Sequence, residues 1–157
     1  MRAVVWLVEG TWEACVDAAV DLHLSDVRLL HVLDEQTAAG WEGGSLGLMG
    51  RGRASGGTRP LDEAATGLLA AAADRFGPGA ERLERRGRAE LEVLDACADA
   101  DLLICARDGV RTERGPHSLS RVTRYVVDHA PCAVLLVWPE SAPAGVDLPP
   151  APPPGRP

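Results

Sequence analysis

Apolar residues along the chain gather into short unbroken runs, and the stretches between them carry helical spacing. Ala3 to Val8, Val27 to Leu33, Leu102 to Cys105 and Ala133 to Trp138 are such runs. Their length and continuity predict strands buried on both faces. Behind Thr11, which can cap a helix, Trp12, Val16, Ala19 and His23 fall on one helical face. A second helix is predicted from Leu61 to Phe76, ended by Gly77-Pro78-Gly79. Ser118 or Ser120 can cap a further helix whose inward stripe is Leu119, Val122, Val126 and Ala130, and Pro131 stops it. Glu81 to Arg86 predicts a strand with one apolar residue, Leu83. It must lie at an edge, where its arginines oppose edge-to-edge association. Strands alternating with helices predict an α/β fold: a single-domain three-layer sandwich with a parallel sheet and helices on both faces. Ligands of such sheets bind outside the carboxyl ends of the strands, at the switch point.

Composition narrows the classes of function. A chain of 157 residues is one domain by default. Its net charge of −7 disfavours broad nucleic-acid binding. No apolar run approaches the roughly 18 residues that span a bilayer. Glu9 and Glu13 interrupt anything like a secretion signal. A cytoplasmic location follows, with neither a membrane nor a nucleic acid as partner. All basic residues are arginine, which excludes a P-loop lysine and Schiff-base catalysis. Cys15, Cys97, Cys105 and Cys132 show no metal-ligand spacing and read as reduced, buried thiols. Cys105 stands out, because Arg107 and Arg111 beside it can lower its pKa and make it redox-active. His23, His31, His117 and His129 are too dispersed for a relay, and no nucleophile is paired with a base. Neither a catalytic site nor a metal site is expected. Asp34-Glu35 reads as a solvated turn, and Glu13, Asp17 and Asp21 as a solvent-facing stripe.

Two regions lack periodicity. Residues 36–60 predict a flexible Gly-rich loop, which at that length is uncommon unless functional. It holds a Gly50-x-Gly52 string, a Ser55-Gly56-Gly57-Thr58 string and a basic stretch before Ser55 of the kind kinases recognise. The glycine strings follow no strand and lack the spacing or the acidic residue of true phosphate loops. Residues 140–157 form a Pro-rich tail that predicts disorder. The folded domain is then residues 1–139, and the loop or the tail can serve a protein partner.

The segment Val122 to Val137, with Arg124-Tyr125-Val126-Val127-Asp128-His129-Ala130-Pro131-Cys132 inside it, resembles the C-terminal half of the universal stress protein family. Glu9-Gly10-Thr11 after the first run, Leu29 to Val32, and Gly87 followed by Ala89 to Leu94 are similar to that family's first loop, second strand and third helix. The resemblance covers most of residues 1–139. It implies a five-stranded sheet of order 3-2-1-4-5, the Rossmann-like arrangement of the adenine nucleotide α-hydrolase-like folds. It also implies a homodimer joined through the last strand, at Val134, Leu135, Leu136 and Val137.

The same resemblance implies a site. ATP-binding members carry Gly, two residues, Gly, nine residues, then Gly and Ser or Thr. Here Ala106 stands at the first glycine, Gly109 at the second, Ser120 at the third and Arg121 at the hydroxyl, with ten residues between Gly109 and Ser120. Val122 and Thr123 follow at the helix start, Glu9 takes the adenine-pocket acid position, and Val32 belongs to the second strand. ATP is the implied cofactor, on a motif that keeps one glycine of three. Arg107, Arg111, Arg114, Arg121 and Arg124 make the loop cationic and can attract phosphate through side chains. The expected function is a non-catalytic, universal-stress-type sensing or binding protein, with weak ATP hydrolysis left open. A ligand-free homodimeric interaction module is one alternative. An enzyme of the wider α-hydrolase-like class is another, but it needs a His-x-x-His or Ser-Gly-Gly-x-Asp-Ser loop where Glu9-Gly10-Thr11-Trp12 stands.

Overall fold

The computed structural model describes residues 1–34, 59–112 and 114–144. The glycine strings, the basic stretch before Ser55 and the tail from residue 145 onward lie outside them. The strands are β1 (Arg2–Leu7), β2 (Asp26–Asp34), β3 (Glu81–Gly87), β4 (Leu102–Ala106) and β5 (Ala133–Val137). The helices are α1 (Trp12–Asp21), α2 (Arg59–Phe76), α3 (Ala89–Ala96) and α4 (Arg121–His129), with a short 3-10 turn at Pro116–Ser118. All strand pairs are parallel, in the order β3-β2-β1-β4-β5.

The apolar runs become the middle of the sheet because only unbroken apolar sequence can face helices on both sides. Ala3, Val5, Leu7, Val27, Leu29, Ile104 and Ala106 point to one face, where they meet Cys15, Val16 and Ala19 of α1 and Leu69 and Ala72 of α2. Val4, Trp6, Leu30, Val32, Leu103 and Cys105 point to the other, against Val93 and Ala96 of α3, the adjoining Cys97 and Val126 of α4. The chain therefore winds one way from β1 to β3 and the other way from β4 to β5. The reversal puts the switch point between β1 and β4.

β3 is the arginine-bearing edge strand that the sequence predicts. Arg85 reaches Asp95 and Glu92 of α3, and Arg86 reaches Asp62 of α2. At the amino end of the sheet, Arg2 and Arg28 converge on Asp99, with Asp26 and Glu81 completing the network. Asp17 of the predicted acidic stripe is not merely solvated. It takes Arg75 at 2.6 and 2.7 Å and pins α2 to α1.

Four local expectations change. Helix α2 begins at Arg59, so residues 59 and 60 leave the predicted loop. Pro60 fits a first helical turn, where its missing N–H has no partner to lose. Thr11 precedes α1 without a side-chain cap bond; its hydroxyl and its N–H both donate to Val8 O, closing a turn in which Gly10 has φ +77°. His23 lies past the end of α1 rather than on its buried face, with φ +54°. Leu24 N–H donates to Ala19 O and His23 N–H to Val20 O, the paired bonds that close a helix with a left-handed residue. In α4 the buried positions are Thr123 and Val126, while Val122 and Ala130 pack at the margin of the core.

Candidate functional site

A cleft of about 590 Å³ opens at the carboxyl ends of β1 and β2 and reaches the start of α4. Its apolar walls include Trp6, Val8, Trp12, Val32, Leu61 and Leu68. Its polar members are Glu9, His31, Asp34, Asp62, Arg86, Asp108 and Ser120. Helix α2 presents Ala64, Ala65 and Ala71 to it, and these small side chains leave the space open. His31 Nδ1–H donates to Leu7 O at 3.0 Å, which fixes the ring across the β1–β2 pair.

The cleft is rich in carboxylates. Glu9, Asp34, Asp62 and Asp108 line it against a single arginine, Arg86, whose Nη2 donates to Asp62 at 2.5 Å. That hydrogen bond, more than any other contact, holds the Arg86 guanidinium above its ordinary pKa.

Asp108 governs the end of the cleft beside α4. Its Oδ1 accepts the Ser120 N–H at 2.8 Å, and its Oδ2 accepts the Thr123 hydroxyl at 2.8 Å. Ser120 is the N-cap of α4, its Oγ accepting the Thr123 N–H at 3.1 Å. The loop behind Asp108 is closed on itself. Gly109 N–H donates to Ser118 O and Val110 N–H to His117 O, at 3.0 and 2.7 Å. A Cβ on Gly109 would stand 2.2 Å from His117 O, so this glycine serves a close approach of the protein's own backbone.

The loop arginines do not face the cleft. Arg107 Nη1 donates to the buried Ser118 Oγ at 2.5 Å, and its guanidinium lies 4.8 Å from the centre of the Trp138 ring. Arg111 turns to Glu140 at 3.7 Å. Arg121 and Arg124 border a separate shallow hollow with Gly109, Val110, His117, Leu119 and Ser120.

The residues that the resemblance implied are therefore divided. Glu9, Val32, Ser120 and Val122 line the cleft; Gly109, Ser120 and Arg121 line the hollow. Ala106 and Thr123 are buried and line neither. Asp108 is not among the residues that the resemblance implied, nor are Trp6 and Trp12, which the sequence places in a strand and on a helix face. The clue to Asp108 is a carboxylate just ahead of a glycine turn, with a capping serine downstream.

Cys105 answers to the buried-thiol reading of the sequence and not to its redox alternative. It is buried, and burial pushes its thiol up to about 12, an effect that nearby Asp108 reinforces and Arg107 only weakly opposes. A thiol so held is a poor nucleophile. Among the described residues no group of histidines, cysteines and carboxylates can hold a metal ion, and no helix is long and apolar enough to cross a membrane.

A doubly wound parallel sheet with a ligand-sized cleft beside its switch point defines the class of open α/β binding domains. The chain belongs to the Universal stress protein family, whose sequence profile matches residues 8–137. No curated protein is similar enough in sequence to count as a relative. Solved structures share the fold. The hypothetical protein MJ0577 is 19% identical with a TM-score of 0.61, over 87% of this chain and 95% of that one. The universal stress protein UspA from Lactobacillus plantarum is 17% identical with a TM-score of 0.55, over 87% and 97%. A universal stress protein solved in complex with cAMP is 16% identical with a TM-score of 0.55, over 88% and 98%.

Proposed function

We propose that the protein is a non-catalytic, cytoplasmic binding protein of its family that takes an adenine nucleoside or nucleotide in the cleft and signals by its occupancy, as a homodimer. The carrying observation is the cleft itself. Its volume of about 590 Å³ lies within the span of small-molecule sites, about 300–1,000 Å³. Two indole rings and aliphatic walls suit a flat base, and carboxylates at the rim suit sugar hydroxyls and an exocyclic amine. The cAMP complex of a protein with this fold supports an adenine ligand. Three histidines are engaged with backbone carbonyls of Asp21, Leu7 and Tyr125, which supports a binding rather than a catalytic role. Four free cysteines suit the reducing cytoplasm.

The test is titration calorimetry with adenosine, cAMP and ATP, together with mass spectrometry of small molecules released from natively purified protein. Saturable binding of at least one adenine compound is expected. It should be lost in Ala64→Trp, which fills the cleft from an exposed helix position. No heat and no released ligand would leave the ligand-free interaction module as the reading.

A further inference from the structure

We infer that Asp108 is the specificity-determining residue of the cleft: its carboxylate takes the place of a ligand anion at the amino end of α4, so the site accepts an uncharged nucleoside and turns away its phosphorylated forms. The inference rests on the reading of the cleft as an adenine site and deepens it.

A helix amino terminus attracts anions because its first N–H groups lack partners within the helix and its dipole ends there in partial positive charge. In α4 that attraction is met from inside. Both oxygens of Asp108 are engaged, one by the Ser120 N–H and the other by the Thr123 hydroxyl, and the Thr123 N–H is bound by Ser120 Oγ. Two backbone amides of the preceding loop, on Gly109 and Val110, donate to Ser118 O and His117 O. A phosphate approaching along the cleft therefore meets a fixed negative charge and few open donors. Asp108 lines the cleft together with Ser120 and Val122, so this charge is at the wall where the phosphates would pass. Glu9, Asp34 and Asp62 add charge of the same sign, and Arg86 is hydrogen-bonded to Asp62. Arg121 and Arg124 border the separate hollow and do not line the cleft.

The experiment measures adenosine, AMP and ATP binding by calorimetry to the full chain and to Asp108→Asn. Asparagine keeps an oxygen for the Ser120 N–H and places an amide against the Thr123 hydroxyl, so the loop contacts persist without the charge. In the natural protein affinity should fall from adenosine to ATP. The variant should shift the adenosine-to-ATP affinity ratio toward ATP by about tenfold, equivalent to about 1.4 kcal/mol. ATP binding as tightly as adenosine to the natural protein would overturn the inference, and so would a folded variant with an unchanged ratio. Salt supplies a second test that needs no variant. Raising it from about 0.05 to 0.5 M screens the repulsion and should bring ATP closer to adenosine. If salt instead weakens ATP selectively, cationic side chains such as Arg121 hold the phosphates and Asp108 is not the selector. Failure of adenosine, AMP and ATP alike to bind overturns the adenine reading of the cleft, and this inference falls with it; ATP binding without adenosine overturns the inference alone.

Discussion

Cys15, Cys97 and Cys105 lose nearly all contact with water on folding. Burial pushes the thiol up in Cys15 and up to about 12 in both Cys97 and Cys105. An unfolded cysteine ionises near pH 8.5. Because the folded values are higher, the native state keeps protons that the unfolded chain releases. The stabilising contribution is complete below about pH 8.5 and is lost as pH rises toward the folded values. Each thiol then costs about 1.4 kcal/mol of stability per pH unit across that window. The melting temperature should hold level from about pH 7 to 8 and fall steeply beyond about pH 9. In Cys105→Ala the alkaline fall should be shallower, one of the raised thiols having been removed. A level profile to about pH 10 would show that the thiols do not control alkaline stability.

At the scale of the element, the end of α1 carries a cost that one substitution should remove. His23 occupies the left-handed position that closes the helix, where a Cβ is unfavourable and glycine is not. His23→Gly should raise stability by about 0.5–1 kcal/mol, read as a gain of a few degrees in melting temperature. A loss would mean that the 2.8 Å bond from the His23 ring to Asp21 O outweighs the strain. This position also shows why sequence patterns mislead at helix ends. The spacing Trp12, Val16, Ala19, His23 continues past the true terminus, because periodicity carries no mark of where the backbone changes hand. The strands were legible since their apolar runs are local and continuous, and even β3 could be placed from arginines that only an edge tolerates. The cleft was legible only in part. Glu9, Val32, Ser120 and Val122 came from a resemblance, whereas Asp108 acts on Ser120 and Thr123 across a loop whose closure no periodic pattern records. Trp6 and Trp12 belong to different elements and become neighbours of one cavity only when β1 and α1 are packed.

On the scale of the whole molecule, charge and apolar surface are separated. The amino end of the sheet is covered by arginine–carboxylate pairs, and the carboxyl end holds the acidic cleft. The far edge is β5, where Val134, Leu135, Leu136 and Val137 are each only half-buried. An apolar edge strand of this kind is a liability for a free monomer and an asset for a dimer. The proposed homodimer should appear as twice the monomer mass in light scattering, and Leu136→Lys, which places a charge on that edge, should return it to a monomer. A natural protein that is monomeric at tens of micromolar, on the order of protein–protein affinities, would remove β5 as an interface. The backbone clasp between Gly109 and Ser118 has a further consequence, for how the chain finds its fold. Parallel strands pair late because a long crossover must be ordered before any contact between them forms. Closing a loop costs less the shorter it is, and the clasp folds the slack between β4 and α4 back on itself. Leu102 pairs with Ala133, 31 residues on (133 − 102), and the nine residues that the clasp takes out (118 − 109) bring that span close to the 24 (26 − 2) that separate Arg2 from its partner Asp26.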